Sequence, residues 1–169
     1  MSFNSIHFLI FFPVVAAIYF ILPFRYRWIW LLGASYYFYM SWRPEYALLL
    51  IISTLVDYVA GRAIFASRNQ ARRRVFLMMS LAANFGLLFV FKYFNFFNGA
   101  LRDLCAWLHL PYAVPGVDVL LPVGISFYTF QTLSYTFEVY LGRKEAETHL
   151  GIFALYVVYF PQLVAGPIE

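Results

Sequence analysis

Charge is what this 169-residue chain has least of. Asp, Glu, Lys and Arg together make 12% of it, where a soluble domain carries about a quarter. Cys105 is the only cysteine, so there is no disulfide framework and no Cys/His metal spacing to read. Histidine is equally scarce. His7, His109 and His149 lie far apart, and none has a second histidine at helical spacing, so no metal site is signalled. Each reads as an ordinary interfacial histidine. No G-x-S-x-G, phosphate loop or H-E-x-x-H string occurs, which leaves hydrolase, nucleotide and zinc-protease chemistry without a motif. No Lys or Arg precedes the first apolar run, which argues against a secretory signal peptide. Internal repeats, low-complexity tracts and long linkers are also missing, so the chain reads as one domain.

Apolar and aromatic residues are present in excess. They reach 63% and 22%, more than one core can hide, so the solvent expected for much of this surface is lipid. Six hydrophobic spans follow: Phe3 to Leu22, Trp28 to Trp42, Pro44 to about Phe65, Val75 to Phe97, Leu121 to Gly142 and Gly151 to Ala165. A stretch of about 20 apolar residues crosses a bilayer as a helix. Pro13 is expected to kink the first, and the second is short enough to lie partly in the interface. Between the fourth and fifth, Leu101, Leu104 and Leu108 share a face, which suggests a short amphipathic helix in the interface over residues 98–117. The expected fold is therefore an all-α polytopic membrane bundle of about six transmembrane helices plus one interfacial helix.

Orientation follows from the basic residues. With the N-terminus outside and six alternating spans, Arg25, Arg27, Arg62, Arg68, Arg72, Arg73, Arg74, Arg143 and Lys144 are cytoplasmic, and only Arg43, Lys92 and Arg102 fall on or near the outer side. This bias accounts for the net charge of +4 without a nucleic acid partner.

The fifth span, LPVGISFYTFQTLSYTFEVYLG, is too polar to be a plain anchor. Wound as a helix, it puts Gly124, Phe127, Gln131, Ser134, Tyr135 and Glu138 on one side. Thr129, Thr132, Thr136 and Tyr140 take the neighbouring sector. Only Phe130, Leu133, Phe137 and Leu141 form an oily stripe. Polar groups left bare in hydrocarbon cost kcal/mol each, so most of this helix must face protein or a wet cavity. Ser126, Gln131 and Ser134 offer hydrogen bonds between helices or toward a tunnel, and Glu138 stands about a turn from the cytoplasmic end. Pro122 and Gly124 allow an irregular start. Asp57 is the best-placed intramembrane charge, with Ser53 and Gly61 one turn to either side. It reads either as a polar site or proton step, or as a carboxylate tied to a neighbouring helix, with Arg62 as a candidate partner. Lys92 is expected to snorkel.

The strings LPVGISFYTFQTLSY at 121–135, EVY at 138–140 and FPQLVAGPI at 160–168 resemble the membrane-bound O-acyltransferases. The branch they look most like is the bacterial alginate O-acetyltransferase type, a relative of the D-alanyl transfer protein of teichoic acid modification. FLIFFPVV in the first span, SWRPEY after the second and DYVAG at 57–61 fit the same pattern, so the resemblance runs along essentially the whole chain. It implies an all-helical enzyme of the bacterial inner membrane with a tunnel through the bilayer. The acyl group, usually acetyl, would come from a cytoplasmic donor, acetyl-CoA or an acetyl carrier. It would pass to an exopolysaccharide hydroxyl outside, with periplasmic partner proteins. D-alanyl transfer is the alternative activity, and a non-catalytic membrane scaffold or decayed gene product the alternative class. Asp57, Ser126, Gln131, Ser134 and Glu138 are the tunnel or support candidates.

The family's essential histidine stands in a later Trp-rich WHG-type stretch that has no counterpart among His7, His109 and His149, so no catalytic residue and no metal ligand is assigned. The chain therefore resembles the N-terminal part of a single transmembrane domain. The 169 residues alone are expected not to transfer acetyl groups. A purified chain that acetylates a polysaccharide, and loses that activity when one histidine is changed, refutes this expectation.

Overall fold

The computed structural model describes residues 5–41, 44–115 and 124–165, and these are helical without a strand. The helices are α1 (Ile6–Ile21), α2 (Phe24–Met40), α3 (Glu45–Ala66), α4 (Gln70–Leu88), α5 (Phe94–Trp107), α6 (Ile125–Tyr140), α7 (Leu150–Val158) and α8 (Phe160–Ala165). A π-helical turn, Phe89–Tyr93, joins α4 to α5 without a break. Arg43, Pro122 and the last residues of the FPQLVAGPI string, which figure in the sequence reading, lie outside the described residues.

Two helical runs are long and apolar enough to cross a membrane: Glu45–Ala66, and Gln70–Trp107 with 38 residues. Only 39% and 22% of their most apolar windows are buried. A soluble core would hide most of such residues, whereas here they point outward, as lipid-facing residues do. Helices Ile6–Ile21 and Leu150–Gln162 are apolar but shorter. The described residues are therefore all-helical, as expected, and two of their helices are long and apolar enough to cross a membrane, beside two shorter apolar ones.

The largest departure from the sequence reading is at 98–117. The interfacial helix is not a separate element. It is the continuation of α4 through the π-turn. A 38-residue helix is about 57 Å long at 1.5 Å per residue, far more than the roughly 30 Å of hydrocarbon. Its last turns are the amphipathic ones, with Leu101, Leu104 and Leu108 exposed. The span expected at 151–165 is broken at Tyr159, ahead of α8. Pro161 has no N–H to bond back to α7, so the helical ladder cannot run through.

Helices α3, α4 and α6 pack around one core containing Leu50, Ile64, Leu77, Ile125, Tyr128 and Val139, which α7 extends through Phe153 and Val157. A second cluster joins α1, α2 and α8 through Val15, Phe38 and Phe160. The Trp30 indole donates to the Val15 carbonyl at 3.1 Å across the same joint. The α6 helix starts from Gly124 at φ 76°, a left-handed conformation that only glycine adopts without strain.

The basic loops meet at one end of the bundle. Arg73 donates to the Tyr140 carbonyl at 2.6 Å and to that of Val139 at 3.3 Å. These are last-turn carbonyls of α6, where intrahelical donors run out; that of Val139 also accepts the Gly142 N–H at 3.1 Å. The Gln70 amide donates to the Tyr140 hydroxyl at 3.1 Å. Trp28, at the start of α2, stands edge-on to His149, 4.7 Å between ring centroids.

Two glycines are required by close packing. A methyl group on Gly151 would stand 2.7 Å from Trp28 Cη2, and one on Gly61 would stand 2.9 Å from Tyr135 Cε1. Gly61→Ala and Gly151→Ala are each expected to lower stability by about 1–3 kcal/mol, measured by thermal unfolding in detergent, while Gly33→Ala, with open space around it, stays within about 0.5 kcal/mol. Equal stability of all three variants contradicts the packing.

Candidate functional site

Three helices bring their polar residues to one point. On α3, Ser53, Thr54 and Asp57 are buried, on consecutive turns of one face. On α4, Ser80 and Asn84 are buried four residues apart. On α6, Thr129, Thr132 and Thr136 are fully buried. Small hydroxyl side chains at these positions let the helices approach closely, as membrane helices commonly do.

Asp57 is at the centre and is completely inaccessible to solvent. Ser80 donates to its Oδ1 at 2.5 Å. The Asn84 amide donates to Oδ1 at 2.8 Å and to Oδ2 at 3.0 Å, and also to the Ser80 carbonyl at 3.0 Å. Ser53 donates to the Asn84 side-chain carbonyl at 3.2 Å, which fixes the amide with its N–H groups toward the carboxylate. The Thr132 hydroxyl approaches from α6 and also reaches the Thr129 carbonyl at 3.1 Å. Of the two readings left open for Asp57, this geometry matches the carboxylate tied to a neighbouring helix. The tie runs to α4 and α6; Arg62 is exposed and forms no ion pair with it.

The same seam holds two unmet groups. Tyr128 Oη and Thr129 Oγ1 are buried without a hydrogen-bond partner, on a helix whose other buried hydroxyls are bonded. Thr129, Thr132 and Thr136 were visible in the sequence only as a sector adjacent to the proposed polar face. Tyr128 was assigned to no face. The signal that could have found them is the i, i+3, i+4 spacing of hydroxyls, which shifts the polar face by one residue.

The other candidates do not join this cluster. Gln131 is half-buried and donates to the Tyr156 carbonyl at 2.9 Å, bonding α6 to α7. Ser126 is half-buried and accepts from Lys92 Nζ at 3.3 Å. Glu138 pairs with Arg143 at 3.6 Å, near the end where the basic loops gather. Ser134 is exposed, on the outward face with Phe130 and Phe137. Among the histidines, His149 caps α7 by accepting from the Ile152 N–H at 3.3 Å, while His7 and His109 are exposed. Among the described residues no group of three His, Cys, Asp or Glu side chains stands close enough to hold a metal ion.

Asp57→Ala would leave the Ser80 hydroxyl buried without its acceptor and the Asn84 amide with only the Ser80 carbonyl. It is expected to cost about 1–3 kcal/mol, and Asp57→Asn less. The check is reversible unfolding in mixed micelles, where an alanine variant as stable as the parent would contradict the network.

Compared with known proteins, the chain is 38% identical over 172 positions to the probable alginate O-acetylase AlgI of Pseudomonas aeruginosa, with 99% of this chain and 32% of that protein covered. Against the protein of the same name from Azotobacter vinelandii it is 38% identical, covering 99% and 34%. A peptidoglycan O-acetyltransferase of Helicobacter pylori is 31% identical over 168 positions, covering 83% and 30%. The chain thus spans about a third of the length of the curated relatives it matches. No family model matches it, and no solved structure does.

Proposed function

Because the chain belongs to the alginate O-acetylase family of membrane-bound O-acyltransferases, we propose that it is the N-terminal part of a membrane enzyme that moves acetyl groups onto hydroxyls of an exopolysaccharide such as alginate. The observation that carries this reading is similarity along 99% of the chain to proteins named for that reaction. The peptidoglycan relative points to the same chemistry, an acetyl ester formed on a carbohydrate hydroxyl. The chain's own share is structural. The α3–α4–α6 core, locked by Asp57, holds a seam of hydroxyls that faces the path of the transferred group.

In this reading Asp57 and Thr132 are positioning residues, and Tyr128 and Thr129 supply free hydroxyls to that path. Gln131, Ser126 and Glu138 brace α6 against α7, the π-turn and the following loop. The donor is acetyl-CoA or an acetyl carrier on the cytoplasmic side, and the exopolysaccharide hydroxyl is reached with the help of partner proteins in the periplasm. The chain sits in the bacterial inner membrane with its N-terminus outside. The meeting of Arg73 with the end of α6, and of Trp28 with His149, supports that orientation by bringing together helix ends and turns that carry basic residues.

The test is a chimera in which this chain replaces the matching third of the Pseudomonas aeruginosa relative, expressed in a strain without its own acetylase. Acetylated alginate in the medium is the expected result. A chimera that inserts in the membrane and yields none counts against the assignment and favours a non-catalytic scaffold.

A further inference from the structure

The turn between α3 and α4 opens into a groove of about 740 Å³. Its lining is mostly apolar, with Ala63 and Ala66 of α3 and Val75 and Phe76 of α4, and the turn between them adds Ser67, Arg68 and Asn69, with Arg72 from the first turn of α4. Both guanidinium groups are exposed. The one ion pair among the described residues involves neither of them, and no carboxylate lines the groove. Arg73, by contrast, turns inward to the carbonyls of α6. The first turn of α4 thus sends one cation into the bundle and leaves Arg72, with Arg68, outside it. The positive end of the α4 dipole lies at the same place.

The position matters as much as the charge. The groove lies at the turn joining the two helices long and apolar enough to cross a membrane, and a turn between two spans belongs at the level of the headgroups. Its apolar wall is continuous with outward-facing Met78 and Met79 along α4 and Phe65 on α3, each more than half exposed. A ligand seated there would have a negative head at the rim and a hydrocarbon tail running into the bilayer. A small soluble anion would use the two arginines and leave the apolar wall wet.

We propose that this groove binds an anionic phospholipid, its phosphate held between Arg68 and Arg72 and an acyl chain laid along Ala63, Ala66, Val75 and Phe76. The proposal rests on the chain being a membrane protein and not on its transferring an acetyl group. Arginine recognises phosphate through paired N–H donors, and basic residues at a membrane surface attract anionic lipid additively.

The experiment is native mass spectrometry of the purified 169-residue chain in mild detergent, with dioleoylphosphatidylglycerol and dioleoylphosphatidylcholine offered together. The expected result is a preference for phosphatidylglycerol that falls roughly 10- to 30-fold in Arg68→Gln/Arg72→Gln and persists in Arg68→Lys/Arg72→Lys. Arg62→Gln removes a charge outside the groove and leaves the preference intact. Should the double glutamine variant not be recovered folded, the single variants Arg68→Gln and Arg72→Gln are each expected to lose part of the preference. Equal retention of the two lipids overturns the proposal, as does a preference unchanged by the glutamine substitutions. Full displacement of the lipid by millimolar inorganic phosphate also overturns it, because it assigns the rim to a free anion.

Discussion

A carboxylate in the middle of an apolar 22-residue helix constrains everything packed around it. Water is not there to solvate Asp57, so its oxygens must be met by side chains from other helices. Ser80 and Asn84 meet them from α4, Thr132 approaches from α6, and Ser53 holds Asn84 in the required orientation. Helix packing in lipid lacks a hydrophobic drive between helices. A polar knot of this kind, together with close-packed small residues, is what selects one arrangement of α3, α4 and α6. The Gly61–Tyr135 approach follows from it, since α3 and α6 meet too closely there for a methyl group.

From that core the rest is placed outward. Tyr135 accepts the Glu147 backbone N–H at 2.9 Å, and Tyr58 donates to the Thr148 carbonyl at 2.7 Å, so the loop after α6 is pinned to α3 and α6 together. The same loop delivers His149 to cap α7 and sets it edge-on against Trp28. The basic end is therefore tied to the polar core through short contacts. The far end of the long α4–α5 helix carries few buried residues beyond Asn98, which is the arrangement expected of a segment awaiting lipid or further protein.

The all-helical character was legible because the apolar stretches are long and lack turn residues, and the outward-facing apolar side chains of α3 and α4 agree with the lipid exposure that the composition led us to expect. Helix α3 was legible nearly to the residue, bounded by Pro44 and the Ser67 turn. The α4–α5 continuity was not, because Asn98 and Gly99 look like a boundary in sequence while the π-turn that absorbs the change of face leaves no compositional trace. Asp57 stood out as a charge among apolar neighbours, but its partners did not. Ser80 and Asn84 are ordinary small polar residues until α3 and α4 are placed side by side. On α6 the polar face was read one sector away from where it packs, since Gln131 and Ser134 are the more polar residues but the threonines are the smaller ones, and close packing selects for size.

The account depends on Asp57 and Asn84 acting as one unit, and a double-mutant cycle tests that directly. Stability of the parent, Asp57→Ala, Asn84→Ala and the double variant would be measured by reversible unfolding in bilayer-like micelles. A coupling of about 0.5–2 kcal/mol is the predicted result, with the double variant losing little more than either single one. Losses that simply add would show that the two side chains stabilise the bundle independently, and the polar knot would then not be what holds the three helices together.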